Sequence, residues 1–295
     1  MTGRAAIFVR VLNLFTDQPA SNHAVTMKIA ALGPSGTFSH EACARLDPQA
    51  EIIFQRTIRD VFTFTGEGKA DAGLVPLENS VSGSVGETLD ALTDTELQIE
   101  KEHIHPVIQY LAGTKNTKSI STILAHPQSY AQCEKFIDAN YPDAEIIQTS
   151  SNGKSAEILL EKNREDWAAI VPELAIKLYG LKNIRSSIQD NRYNVTRFII
   201  ISRNIAQPTG YDRTSLALYP QVDYPGLLHE LLGHFAGNGI NLSKIESRPS
   251  KGRLGDYIFF IDVLGHQQDD RVASALEALR KKAFLKVLGS YPRQY

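Results

Sequence analysis

Short apolar runs alternating with amphipathic stretches organise this chain from residue 28 onward. The run Lys28-Ile29-Ala30-Ala31-Leu32-Gly33 ends in the polar turn Pro34-Ser35-Gly36-Thr37-Phe38-Ser39-His40, which predicts a strand, a turn and a helix over 40–46 capped by Ser39. A strand at 51–54 follows, then a helix capped by Thr57 with Asp60 three residues on, then the run Ala72-Gly73-Leu74-Val75-Pro76-Leu77-Glu78-Asn79. A glycine-spaced segment, 80–87, leads into a helix reaching Leu92. The order is of βαβ type. In open parallel sheets ligands gather at the carboxyl ends of strands, so both helix starts are expected to face one cleft.

A second lobe with the same rhythm begins near Pro106. Strands are predicted at 107–112 and 122–125, then His126-Pro127-Gln128 before a helix to about residue 139. A strand at 145–148, a polar turn at 149–153 opening a helix, a strand at 167–171 and a helix over 172–179 complete it, with Pro172 at the first helical position. The chain returns through Ile188-Gln189-Asp190 to a strand beginning near Thr196, which is expected to cross back to the first lobe and help form a hinge.

The C-terminal segment reads βαββαβ. Strands are predicted at 214–219, 240–245, 257–264 and 285–288. Leu227, Leu228, Leu231, Leu232 and Phe235 form the apolar face of one helix, and Val272, Ala275, Leu276, Leu279 and Ala283 that of another. This pattern leaves open a ferredoxin-like domain that binds nothing.

Residues 1–27 read as an extension outside the folded domain, disordered or preceding the true start at Met27; a targeting peptide is the weaker reading, because Arg10 and Asn13 break its apolar run. Composition changes little: 295 residues, 42% hydrophobic, with 31 basic against 33 acidic side chains, describe a globular cytoplasmic chain without the charge excess of a nucleic-acid or membrane binder. Cys43 and Cys133 lie far apart without metal-ligand spacing, so neither a disulfide framework nor a structural zinc is expected.

Candidate chemistry concentrates in Asn194-Val195-Thr196-Arg197-Phe198, where one hydroxyl stands at the start of a buried strand. Alternate strand residues face opposite sides, so Asn194, Thr196 and Phe198 share one face and Val195 and Arg197 the other. If Thr196 faces a cleft, Phe198 walls it and Arg197 makes a structural salt bridge or reaches a different pocket. Taken alone, Thr196 is equally an ordinary β-branched strand residue. The Ser35, Thr37 and Ser39 hydroxyls and nearby amides sit at a helix N-terminus suited to a carboxylate, although simple capping explains them too.

The segments Gly33-Pro34-Ser35-Gly36-Thr37-Phe38-Ser39, Val75-Pro76-Leu77-Glu78-Asn79-Ser80, His126-Pro127-Gln128 with Gln132-Cys133, and Asn194-Val195-Thr196-Arg197-Phe198 resemble, in that order, the motifs of prephenate dehydratase. The tail, with Glu246-Ser247-Arg248-Pro249, resembles the ACT regulatory domain that accompanies it. The resemblance implies a two-lobed α/β catalytic domain, periplasmic-binding-protein-like, over 28–205 (lobes 28–105 plus 188–205, and 106–187), followed by a ferredoxin-like ACT domain over 213–292. It implies Thr196 as the essential residue, with Glu78, Asn79, Ser80 and Gln132 lining or supporting the cleft; Ser35, Thr37, Ser39, Asn194, Arg197 and Phe198 complete the expected substrate site. It further implies a phenylalanine site made of Gly226, Leu227, Leu228, Asn241, Leu242, Glu246, Ser247 and Arg248, and at least a homodimer, or a homotetramer. Two departures stand out: Ala125 where the family often has a hydroxyl residue before His-Pro-Gln, and Ser151-Asn152-Gly153 where it often has Ser-Thr-Ala.

The implied reaction takes prephenate to phenylpyruvate, carbon dioxide and water, without metal or cofactor. Thr196 is too weak an acid to be a bulk proton source, so it is expected to donate a hydrogen bond to the departing hydroxyl, with a proton relay also possible. The Ser35–Ser39 turn and the Asn79-Ser80 loop are candidates to anchor the pyruvyl carboxylate, with Phe38 and Phe198 beside the ring carboxylate. Arogenate dehydratase, a solute-binding module and a catalytically silent amino-acid sensor are the alternatives. A fused chorismate mutase is disfavoured by the shortness of 1–27.

Overall fold

A computed structural model describes residues 26–250 and 256–295; the expected N-terminal extension lies outside them except for its last two positions. The described chain forms three sheets. The first contains β1 (Lys28–Leu32), β2 (Glu51–Gln55), β3 (Ala72–Asn79), β4 (Gly83–Ser84), β5 (Gln98–Pro106) and β11 (Val195–Ser202), in the order β2-β1-β3-β11-β5 with β4 paired to β3. The second contains β6 (Tyr110–Gly113), β7 (Thr122–Ala125), β8 (Glu145–Gln148), β9 (Trp167–Val171) and β10 (Lys182–Arg185), ordered β10-β6-β9-β7-β8. The third, ordered β13-β14-β12-β15, holds β12 (Asp212–Pro220), β13 (Leu242–Pro249), β14 (Tyr257–Leu264) and β15 (Ala283–Pro292).

Strand β11 is the element that unites the first sheet. It returns from the second lobe and inserts antiparallel between β3 and β5, and seven of its eight residues are buried. Beta-branched Ile199, Ile200 and Ile201 suit a central strand covered on both faces. One face packs against helix α1 (Phe38–Leu46) through Ile29, Ala31, Ala42, Cys43, Leu74 and Phe198. The other face carries Val75, Leu77, Ile199 and Ile201, joined to α2 (Ile58–Gly66), α3 (Gly86–Thr93) and, without a break, to Ile258, Phe260 and Leu288 of the third sheet. Each such side chain removed from water contributes about 1.5–3 kcal/mol, so the third sheet docks on the first lobe through a shared core. Its other face is covered by α8 (Leu227–Gly237) and α9 (Asp270–Arg280).

The two lobes meet where the crossing segments pair: Val107 N donates to Asn194 O at 2.9 Å and Ile188 N to Gln109 O at 3.0 Å. In the second lobe, α4 (Pro127–Ala131), α5 (Glu134–Asn140), α6 (Asn152–Lys162) and α7 (Glu173–Tyr179) flank the sheet. Several boundaries differ from the sequence pattern. The first helix begins at Phe38 and is capped by Thr37, whose hydroxyl accepts from His40 N, leaving Ser39 buried in the first turn. Pro172 is the cap of its helix rather than the first helical residue. Strand β6 starts at Tyr110 because residues 107–109 serve as the crossing segment. Strand β5 is an unexpected element, and β13 and β15 extend past their predicted ends to Pro249 and Pro292.

Candidate active site

Three residues form a row across three strands. Thr196 on β11 is paired with Asn79 on β3 and with His105 on β5. Paired residues point to one face of a sheet, here the face beneath α1. Asn79 is the organiser: its amide nitrogen donates to Asn194 Oδ1 at 2.7 Å, to Thr196 Oγ1 at 3.0 Å and to Val195 O at 3.1 Å. Its amide oxygen accepts from Val81 N at 3.0 Å and Ser82 N at 2.9 Å, which fixes the turn after β3 and the orientation of the carboxamide. Thr196 Oγ1 thus accepts from Asn79, while its own hydrogen has no protein acceptor among the described residues and is available to a ligand. Asn194 Nδ2, buried and without a protein partner, is a second available donor.

The turn before α1 faces the second lobe. Ser35 Oγ lies 3.3 Å from the Tyr179 hydroxyl, and a Cβ placed on Gly153 at the start of α6 would come 2.1 Å from Ser35 O. Only glycine permits that approach. On the other side of the cleft Gln128 Nε2 donates to Ser82 Oγ at 3.0 Å, so the lobes touch across the cleft as well as at the crossing segments. Within the turn Gly36 N donates to His40 Nδ1 at 3.0 Å and Thr37 Oγ1 donates to Pro34 O at 3.0 Å, so two of its polar groups are already engaged. Burial holds the His40 imidazole below its ordinary pKa, against the pull of Glu41.

The expected site residues divide by face. Asn79, Asn194 and Thr196 come together, with Ser35, Thr37 and Ser39 on the turn opposite the second lobe. Ser80 ties the loops, accepting from Val195 N at 3.0 Å and donating to Tyr193 O at 3.2 Å. Gln132 accepts from Gln109 Nε2 at 3.0 Å, beside the crossing segments. Phe198, 2% exposed, belongs to the core under α1 rather than to an open wall, because α1 packs directly on it. Glu78 and Arg197 lie on the reverse face, away from Thr196. Arg197, 3% exposed, meets Glu78 at 3.0 Å, Glu102 at 2.8 Å, Asp262 at 2.6 Å and the Tyr291 hydroxyl at 2.6 Å. It clasps the C-terminal domain. Burial works to lower its pKa, but Tyr291, Asp262 and Glu102 outweigh that and raise it.

The same reverse face takes up part of the expected phenylalanine site. Lys244 Nζ lies 2.7 Å from Glu78 and 3.2 Å from Glu246; Ser84 bonds Glu246, and Arg248 stands 3.6 Å from Asp90. A Cβ on Gly86 would meet the Arg248 guanidinium at 2.5 Å, so the start of α3 lies against the third sheet and not at the cleft, contrary to the expectation of two helix starts facing one ligand. Ser247 points outward on the edge strand β13. Gly226, Leu227 and Leu228 open α8 at the Pro249 end of the sheet, whereas Asn241 and Leu242 lie at the opposite end, beside Leu264. An 11-residue helix, about 16 Å long, separates them.

Sequence reasoning missed His105 and its partner Glu41. His105 is fully buried, its Nε2 3.1 Å from Glu41 Oε2 on α1. Its spacing signal was a histidine at a buried position of a polar strand, which carries no weight until the pairing register is known. Among the described residues no group of three or more His, Cys, Asp or Glu side chains is placed to hold a metal ion, and no helix is long and apolar enough to cross a membrane.

The prephenate dehydratase family model matches residues 29–206 and the ACT domain model residues 222–281. The chain is 39% identical over 270 residues to a bifunctional chorismate mutase/prephenate dehydratase of Aquifex aeolicus, covering 90% of this chain and 74% of that one. It is 35% identical to the Bacillus subtilis prephenate dehydratase, covering 90% and 98%. Among solved structures, the prephenate dehydratase of Arthrobacter aurescens in complex with L-Phe superposes with a TM-score of 0.84 at 37% identity over 90% of each chain. GqqA, described as a novel type of quorum-quenching acylase, superposes with a TM-score of 0.83 at 28% identity, covering 90% of this chain and 98% of that one. With a match spanning both lobes and a second over the docked C-terminal sheet, the chain belongs to the prephenate dehydratase family and is an enzyme of that family carrying a C-terminal ACT domain.

Proposed function

We propose that the cleft converts prephenate to phenylpyruvate, carbon dioxide and water, in the branch that supplies phenylalanine, and that the ACT domain senses L-phenylalanine. The observation that carries the reaction is the Thr196 hydroxyl, which accepts from Asn79 and keeps its own hydrogen free for a leaving group. Asn194 Nδ2 and the free amides at the start of α1 are the donors for the pyruvyl carboxylate. The catalytic unit is assigned to residues 28–205 and the ACT domain to 213–292, in a cytoplasmic protein.

The sensor reading is supported by the separation within one chain of Gly226–Leu228 from Asn241–Leu242. A two-fold axis beside the open edge of β13 would set the start of α8 in one copy against the start of β13 in the other, so a homodimer unites what a single chain keeps apart. Lys244, Glu246 and Arg248, on the inward face of that strand, touch the catalytic lobe and couple ligand there to the cleft.

The test is phenylpyruvate formation from fresh prephenate by purified protein, with and without phenylalanine, beside Thr196→Ala and with arogenate in parallel. Turnover that phenylalanine suppresses and the variant lacks is expected. Turnover of arogenate alone moves the substrate to its amino analogue; phenylalanine binding without turnover of either leaves only the sensor.

A further inference from the structure

The row Asn79, Thr196, His105 places an imidazole directly across the strand pair from the candidate catalytic hydroxyl. Cβ atoms of such pairs stand about 4.5–5.5 Å apart, so the imidazole and the hydroxyl are side-chain neighbours on one face of the sheet. His105 is 0% exposed, and the side chain of Glu41, whose Oε2 is 3.1 Å from Nε2, is 9% exposed. The other ring nitrogen, Nδ1, is buried and has no protein partner among the described residues. The Phe38 and Phe198 rings pack on the imidazole in T-shaped arrangements, with centroids 6.4 and 6.1 Å from its own. A buried imidazole with one nitrogen left empty costs stability that leucine at this position would not.

The reaction itself supplies a reason for it. Prephenate plus one proton gives phenylpyruvate, carbon dioxide and water, and an alcohol cannot be the source of that proton near neutral pH. We propose, resting on the dehydratase reading above, that the Glu41–His105 pair stores this proton and delivers it through Thr196 to the departing hydroxyl. In the step the bond to the ring carboxylate breaks and its electron pair enters the ring as carbon dioxide leaves. The carbon–oxygen bond breaks toward oxygen, which takes the Thr196 proton and departs as water; Thr196 takes the proton of His105 Nδ1. The neutral imidazole regains a proton from solvent once product leaves. Glu41 accepts from Nε2–H and so leaves Nδ1 as the nitrogen free to exchange a proton. His105 acts through Thr196 and is a positioning residue in that sense.

The groups facing the pair are few. Arg45 on α1 lies 3.7 Å from Glu41 Oε1. His103, its ring 5.8 Å from that of His105, is pushed down to about 4 by burial, His105 and Arg45, and so is neutral at pH 7. Tyr110, from the start of the second lobe, has its phenol raised by burial and then by Glu173 and Glu41. None of these competes for the proton at neutral pH.

The test is the pH profile of kcat for the full-length protein with prephenate, in wild type, Glu41→Gln and His105→Gln. Wild type is expected to lose rate on the alkaline side, as the pair gives up its proton. Glu41→Gln should move that limb to lower pH, since it removes the carboxylate that accepts from Nε2–H. His105→Gln should abolish the limb and lower kcat about 10²-fold with KM near wild type. A wild-type profile without the limb, a limb that Glu41→Gln leaves in place, or a limb retained in His105→Gln overturns the proposal. If His105→Gln does not fold, the first two outcomes decide. Wild type without prephenate turnover sinks this inference together with the dehydratase reading. A normal Thr196 requirement with a flat profile sinks this inference alone.

Discussion

Strand β11 carries opposite chemistry on its two faces. Toward the cleft stand neutral polar groups, the hydroxyl of Thr196 and the amides of Asn79 and Asn194, with one carboxylate–imidazole pair at their margin. Toward the ACT domain Arg197 gathers Glu78, Glu102 and Asp262, and Arg213 adds a second contact to Glu102 at 2.6 Å. Neutral donors orient an anionic substrate without fixing a compensating charge beside its ring carboxylate, and so do not favour the ground state over loss of carbon dioxide. Buried charges do the reverse: they hold one geometry strongly and tolerate little change. One strand therefore serves as a reactive surface on one side and a rigid mount on the other.

The largest effect expected from breaking this division is on the mount. Arg197→Ala leaves the buried Asp262 without its cation, and Glu102 and Glu78 with only Arg213 and Lys244, and should cost about 3–5 kcal/mol in denaturant unfolding. Thr196→Ala, one residue away, should lower kcat by about 10²- to 10³-fold while unfolding within about 1 kcal/mol of wild type. If the two variants show the same profile of loss, the two faces are not separate. Gly153→Ala sharpens the cleft side. Its Cβ would collide with Ser35 O, so the lobes cannot approach as closely, and kcat/KM should fall roughly tenfold with global stability little changed.

The smallest effect concerns the Glu78–Lys244 contact. Burial raises the Glu78 pKa, but the Lys244 hydrogen bond and the Arg197 charge outweigh it and hold the carboxyl below its usual range. A depressed carboxylate stabilises the folded state above its unfolded pKa, near 4.3, and loses that contribution as pH falls through its folded value. Lys244 is opposed by burial yet raised by Glu78 and Glu246, so its contribution persists at neutral pH and is lost only as pH rises through its elevated value. Unfolding free energy should therefore decline below about pH 4, and less steeply in Lys244→Met. An identical acid slope in that variant would show that the contact does not hold the domains together.

Helices and most parallel strands were legible because their burial follows apolar periodicity, as in Ile29, Ala30 and Ala31 of β1 or Leu231 and Phe235 of α8. The alternation along 194–198 also predicted the separation of Thr196 from Arg197. Strand β5 was illegible for a physical reason. Its Glu102 and His105 are buried because Arg197, Arg213 and Glu41, distant in sequence, neutralise or bond them, and a pattern of apolar residues cannot report burial achieved by pairing. The same cause hid the ends of β13 and β15, where Glu246, Arg248 and Tyr291 face another domain. The family resemblance places Glu78 in the cleft because it shares a motif with Asn79. Adjacent strand residues point apart, and only the structure shows which of the two faces the substrate.

Asn79 and Thr196 are 117 positions apart, with the whole second lobe between them. During synthesis at about 5–20 residues per second, β3 emerges roughly 6–23 s before the strand that pairs with it. For that interval Leu74, Val75 and Leu77 form the apolar edge of an unfinished sheet, and β5 has no neighbour at all. The second lobe, whose five strands lie within one continuous stretch, can fold first and bring the returning chain back to the gap. The nascent chain is thus most exposed to misassociation just before the hydroxyl is delivered to its amide, and a slowed translation through 110–185 lengthens that exposure.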